Sequence, residues 1–230
     1  MRRIWLLLFT IGLPLFLIAP ALMKLPRSSP NLTAPSVEAL PQSGVGNPVT
    51  AVLLNYRGYD TLLEVGVLLL VVIAVWSLQE SRWRELDASE QRPLLMPFLR
   101  LIMPVLVLVS GYLLWIGSSR PGGAFQGGAM IGGAMVMLIS AGLSRRFSTS
   151  ERRVRAGLVV GLTVFMVASV TTLLWSGHIL CYRQNSASSW ILAIEVAAQI
   201  SIGVTLGALF LGGRPRTLSP ERPKLEVNRD

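Results

Sequence analysis

Residues Tyr59–Leu78 read YDTLLEVGVLLLVVIAVWSL, and no residue from Val65 to Leu78 is charged. Roughly twenty such residues, wound as a helix, cross the ~30 Å hydrocarbon core of a bilayer. Five further segments have similar length and character: Ile4–Leu22, Phe98–Gly117, Phe125–Leu143, Ala156–Trp175 and Trp190–Leu211. None shows the shorter alternating pattern of a barrel strand. The sequence predicts an all-α membrane protein with about six transmembrane helices.

Composition agrees. Of 230 residues, 52% are hydrophobic and 14% charged, where a soluble domain carries about 25% charged. Mean hydropathy is +0.57. An ordinary soluble enzyme is excluded. The net charge of +9 fits basic cytoplasmic loops better than nucleic-acid binding, and no nucleic-acid partner is expected. With N- and C-termini cytoplasmic, every Lys and Arg falls inside except Lys24, Arg27, Arg57, Arg120 and Arg183. Met1–Ala21 also reads as a signal peptide ending at Ala19-Pro20-Ala21, which leaves the remaining topology unchanged.

The single cysteine, Cys181, excludes an internal disulfide and a cysteine zinc site. With one histidine, His178, no metal or haem site is expected, nor any other cofactor. No nucleophile–base pair is present, so no enzyme and no catalytic residue is expected. His178, Cys181 and Arg183 read as a solvated external loop. Trp76, Trp115, Trp175 and Trp190 sit at span ends as interfacial anchors. Residues 23–48 form an irregular external linker rich in Pro and Ser. The charged stretch 81–97 is a cytoplasmic linker. It divides a two-helix module, residues 1–80, from a four-helix module, residues 98–212. The tail, 213–230, is expected to be disordered in the cytoplasm.

Polar groups inside apolar segments carry the functional signal, because a charge near the bilayer centre costs about 2.5–3.5 kcal/mol on insertion scales. Apolar character extends from Val49 to Leu78, too long for one straight span. Val49–Tyr56 should therefore lie along the outer interface or dip into the protein, with Gly58 as the bend. Arg57, Asp60 and Glu64 then share one helix face. Arg57 and Asp60 can satisfy each other as a local ion pair. Glu64 lies about a turn deeper, where a carboxylate can bind a cation or carry a proton.

The run Arg120-Pro-Gly-Gly-Ala-Phe-Gln-Gly-Gly128 lacks the Lys-Ser/Thr ending and preceding strand of a phosphate loop. It reads as a tight hairpin, turned at Pro121 and Gly122. Gly123/Gly127 and Gly128/Gly132 then place small residues where helix backbones approach closely. Gln126 is the polar exception at the head of that helix. In the last span, Glu195 precedes Gln199 by one turn. Glu195, Glu64 and Gln126 share a rough depth. They can form one hydrated cluster, in this chain or with a partner; alternatively Glu195 snorkels to the interface.

At these residues the chain resembles a known family. Pro121-Gly-Gly-Ala-Phe-Gln-Gly-Gly128 is similar to the Pro-Gly-Gly-Gly-Phe-Gln-Gly-Gly signature of the MnhB/MrpB family, which supplies a small component of Mrp-type multisubunit Na+/H+ antiporters. Asn47–Glu64 resembles the C-terminal part of MrpA, the large antiporter component, and also the small MbhE component of membrane-bound hydrogenases. The resemblance implies a fusion, MbhE-like over 1–80 and MnhB/MrpB-like over 98–212. Asn55 stands where the family has Asp, Leu63 where it has Gly, Ser118 and Ser119 where it often has His and Asn, and Ala124 where it has the third Gly. Asp60, Glu64, Phe125 and Gln126 match.

By resemblance, Asp60 and Glu64 occupy acidic positions on the cation path, and Glu195 falls near a third. The expected function is an integral membrane subunit of a cation/proton (Na+/H+) antiporter, or of a related ion-pumping hydrogenase-like complex, in a bacterial or archaeal plasma membrane. Expected partners are antiporter-like membrane subunits, with hydrogenase or other redox subunits in the second case, and Na+ and H+ as transported ions. The candidate translocation residues are Asp60, Glu64, Glu195 and Gln126, with Arg57 as supporting ion pair. The alternative is a structural scaffold subunit needed for assembly. A stand-alone small transporter is disfavoured, since no inverted repeat is evident.

Overall fold

The computed structural model describes residues 31–78, 95–141 and 151–212, with isolated positions 12, 16, 19, 20, 23 and 24. Two compact units divide between Val37 and Glu38. Apart from those isolated positions the expected first span, Ile4–Leu22, lies outside the described residues, as do the 81–97 linker except its last three residues and the 213–230 tail.

The described end of the first unit holds the start of α1 (Thr33–Glu38). Asn31 Oδ1 accepts from the Thr33 N–H at 3.1 Å, and such side-chain acceptors satisfy the otherwise orphaned amides of a helix start.

The second unit is helical. A 3-10 turn, Leu40–Gln42, leads to α2 (Pro48–Ala51), a π turn (Val52–Tyr56) and α3 (Gly58–Leu78). Then follow α4 (Leu95–Ile116), α5 (Ala124–Ser140), α6 (Glu151–Ser176) and α7 (Gln184–Gly212). Among the described residues, α3, α4, residues 152–176 of α6, and α7 are long and apolar enough to cross a membrane. α5 is shorter, at 17 residues, or about 25 Å of rise. The chain is a membrane protein built from helices.

One face of Val49–Tyr56 packs inward, while Val49, Leu53 and Tyr56 stay exposed. Ala51 and Leu54 are buried in a cluster with Phe165, Ala168, Leu180, Ile191 and Ile194. Helix α3 restarts at Gly58, where an added Cβ would lie 2.9 Å from Leu180 Cδ1. Arg57 N–H reaches back to the Val52 carbonyl at 2.7 Å, the long-ring bond of a π turn.

Helix α7 is central. Its buried residues include Ile191, Ile194, Glu195, Ala198, Gln199, Ile202, Thr205 and Ala208. α5, α6 and α3 pack on it, and α4 packs on α5. The α5–α7 seam is glycine-lined. A Cβ at Gly128 would meet Ile202 at 2.8 Å, one at Gly132 would meet Leu206 at 2.7 Å, and one at Gly203 would meet Ile131 at 2.6 Å. The partner numbers rise together, so the helices run parallel. Without a hydrophobic drive between helices in lipid, this close backbone approach supplies the packing contacts.

Side chains such as Leu70 and Ile73 on α3, Leu101 and Leu108 on α4, and Val167 and Leu174 on α6 are exposed, as lipid- or partner-facing surfaces are. Trp115 and Trp175, at the ends of α4 and α6, are exposed too. Trp190 is half-buried against the first core cluster instead.

Candidate functional site

The site is built where α4 turns into α5. Ser119 and Arg120 donate backbone N–H groups to the Ile116 carbonyl, at 2.9 and 2.8 Å. Gly123 N–H then reaches the Leu113 carbonyl at 2.8 Å. Leu113 lies nearly a turn before the end of α4, so α5 begins recessed by that turn. Two glycines make this possible. A Cβ at Gly122 would lie 2.5 Å from the Leu113 carbonyl oxygen. Gly123 has φ +115°, which side chains rarely adopt.

Glu195 of α7 fills the space Gly123 leaves. Its Oε1 lies 2.8 Å from the point where a Gly123 Cβ would sit. The Ala124 backbone amide hydrogen-bonds to the carboxylate. Glu195 is only 5% exposed, so the snorkelling alternative does not hold within this chain. The carboxylate meets the N-terminus of α5, where free N–H groups and the helix dipole favour an anion.

One turn on, Gln199 repeats the arrangement. Its amide lies against Gly127, and Nε2 donates to Ser110 Oγ of α4 at 2.5 Å. Ser110 Oγ in turn donates to the Gly127 carbonyl at 2.9 Å. Gln199 Oε1 is buried and has no hydrogen-bond partner among the described residues.

The other candidate residues fall elsewhere. Arg57 and Asp60 form the expected ion pair, with side chains 70% and 51% exposed. Glu64 is exposed too. Gly58, Thr61, Val65 and Val72 take the inward positions of α3, which leaves both acids on its outer side. Within this chain, then, Asp60 and Glu64 are both exposed, and Glu64 does not take the deeper position expected of it. Val65 packs with Ala124 and Ala198, so Glu64 does share a level with the α5 head. Gln126 is exposed, although its Oε1 lies 3.8 Å from the same Gly123 Cβ point. The anticipated cluster is thus Glu195 with the α5 head and Gln126 at its rim, not a triad with Glu64.

Pro121 is exposed on the turn, Gly127 lies against Gln199 and Gly128 against Ile202, and Phe125 packs partly buried against the cluster of Val65, Ala124, Ala198 and Ile202. His178 and Cys181 are exposed in the α6–α7 loop. Among the described residues no group of three or more His, Cys, Asp or Glu is placed to hold a metal.

Two features gave no clear signal in the sequence. Ser110 is one hydroxyl in an apolar span. Asn47 looks like a turn residue, yet it is a buried latch. Its Nδ2 donates to Gly117 O and Arg120 O, both at 2.9 Å. Thr50 Oγ1 donates to Gly117 O at 2.6 Å, and the Gly46 and Asn47 amides both donate to Ser118 O.

Residues 94–212 match the family model described as the domain related to the MnhB subunit of Na+/H+ antiporter. Residues 1–94 match the MbhE model, which describes the E component of MBH. The chain is therefore a helical membrane protein whose sequence matches the two models in that order. With more than half its length matched, it belongs to the MnhB-related family.

Among solved structures it is similar to the Mrp complex from Dietzia sp. DQ12-45-1b, at 22% identity and TM-score 0.63, over 96% of this chain and 27% of that one. It is also similar to the membrane-bound sulfane sulfur reductase, an archaeal respiratory membrane complex, at 23% identity and TM-score 0.62, over 90% of this chain and 98% of that one. These likenesses are of fold. The chain spans about a quarter of the length of the Mrp chain it matches. No curated protein matches it.

Proposed function

We propose that the chain is an integral subunit of a multisubunit cation/proton (Na+/H+) antiporter, or of a related ion-pumping complex of membrane-bound hydrogenase type. In this reading it lies in a plasma membrane with both termini cytoplasmic. It catalyses no covalent step itself. Antiporter-like partner subunits drive transport, and this chain contributes membrane carboxylates to the ion path.

The observation that carries the reading is Glu195, an ionisable group buried inside a membrane helix and met by the recessed start of another. Such groups are expensive in a membrane and mark ion or proton pathways. Glu64 and Asp60 support it differently. Both are exposed on the outer side of α3, where a partner subunit could meet them, and Gln126 lies at the rim of the same level.

The test is coupled transport in membrane vesicles carrying the whole complex, with Glu195→Gln and Glu64→Gln. Each is expected to abolish transport while the subunits still co-purify. Unchanged transport in both would overturn the proposal. The glycine-lined α5–α7 seam favours a second reading, a scaffold role; it expects both variants to disperse the complex.

A further inference from the structure

The seam between α4, α5 and α7 contains a hydrogen-bond chain that is one donor short. Ser110 Oγ–H is directed to the Gly127 carbonyl, so Ser110 Oγ needs a donor, and Gln199 Nε2 supplies it. Gln199 Nε2 also reaches the Ser110 carbonyl at 3.4 Å, and a carbonyl only accepts, so the NH2 end of the amide faces Ser110. The other end, Oε1, is left without a partner among the described residues, on a residue 5% exposed. Buried acceptors are nearly always satisfied, and one left unpaired costs about 1–3 kcal/mol.

The missing donor must arise beside Gln199. Glu195 precedes it by four residues on α7, the spacing at which helix side chains meet. Both line α5, at Gly123 and Gly127. A carboxylate offers no hydrogen, whereas a carboxylic acid offers one. The Ala124 amide can engage one carboxyl oxygen while the other carries a proton.

We propose that Glu195 and Gln199 form a proton-binding pair, in which the carboxyl O–H of Glu195 donates to Gln199 Oε1. The chain then runs unbroken from Glu195 through Gln199 and Ser110 to the Gly127 carbonyl. Binding adds one proton to Glu195 and release returns it, with no other bond changed. Gln199 and Ser110 are positioning residues. A metal ion fits less well, because Ser110 Oγ and the Gly127 carbonyl are already engaged.

Other charges stand back from the pair. α5 carries no ionisable side chain. α4 brings Tyr112, which is exposed, and Arg100 near its other end. The ionisable residues of α6 lie within its first five residues. Asp60 and Glu64 of α3 are exposed, and Tyr182 sits in the loop before α7.

The inference deepens the reading of Glu195 above, but its test reads protonation rather than transport. The experiment is infrared difference spectroscopy, across a pH titration, of the full-length protein purified with its bound partners. A protonated-carboxyl C=O band is expected that Glu195→Gln removes. Gln199→Met, which keeps the volume and deletes the acceptor, should shift that band to higher frequency and weaken proton affinity about tenfold, the worth of one such bond. Ser110→Ala gives a smaller shift in the same direction and serves if Gln199→Met does not accumulate. The pair is refuted if Glu195→Gln removes no band, or if the band and its midpoint are unmoved in Gln199→Met and Ser110→Ala. Shifted bands in a complex that moves no ions would uphold the pair while removing the transport reading.

Discussion

Gln199 occupies the space that Gly127 leaves open: a Cβ on Gly127 would lie 2.9 Å from both Cδ and Nε2 of the Gln199 amide. That amide is pinned on its far side by Ser110, so it has little room to give. Gly127→Ala should therefore destabilise the protein by about 1–3 kcal/mol, the usual cost of overpacking. Gly133→Ala, where nothing lies within 4 Å, should be nearly neutral. Thermal unfolding of the two variants in detergent checks the contrast.

Asn47→Ala removes a buried side chain that donates to two carbonyls and caps α2 by accepting from Val49 N–H. The Arg120 carbonyl loses this donor, while Gly117 O keeps Thr50. A loss of about 1–3 kcal/mol is expected. Limited proteolysis should then cut the 31–48 segment faster than in wild type. Equal cutting rates would argue against the latch.

Tyr182 gives a pH signature. Its hydroxyl is buried without a partner among the described residues, and burial pushes the phenol above its ordinary value of 10.0. The unfolded chain therefore releases this proton at a pH where the folded one keeps it. Stability from this group is full below pH 10 and falls as pH rises beyond it. Tyr182→Phe should flatten that alkaline decline and be neutral or mildly stabilising at neutral pH, read as melting temperature against pH.

The Arg57–Asp60 pair is largely exposed in this chain, and such pairs contribute about 0.2–1 kcal/mol. Asp60→Asn should leave the melting temperature of the purified chain almost unchanged. A large loss of transport from the same variant would then report on function rather than folding. A large loss of stability instead would assign Asp60 a structural role.

The spans were legible because about twenty apolar residues have few alternatives to a membrane helix. The hairpin at 117–123 was legible from its glycines and proline. Their purpose was not, because no spacing within Pro121–Gly128 indicates that Glu195, far along the chain, fills the gap at Gly123. One sign was available. Glu195, Gln199, Gly203 and Gly207 repeat every four residues, as Gly123 and Gly127 do. Two stripes of the same period, each with glycines, can interlock side chain against glycine. The exposure of Glu64 was not legible, since the Arg57–Asp60–Glu64 stripe marks a helix face without saying what lies opposite. Ser110 and Asn47 depended wholly on tertiary contacts.

The latch at residues 46–50 ties the start of the α2–α3 segment to the 117–120 turn, and Gly123 follows three residues later. A displacement of the first half that moves Asn47 must either break those bonds or carry the turn with it. Glu195 rests on that turn's far end. An unbroken run of contacts therefore leads from Asn47 through the 117–123 turn to the Glu195 carboxylate.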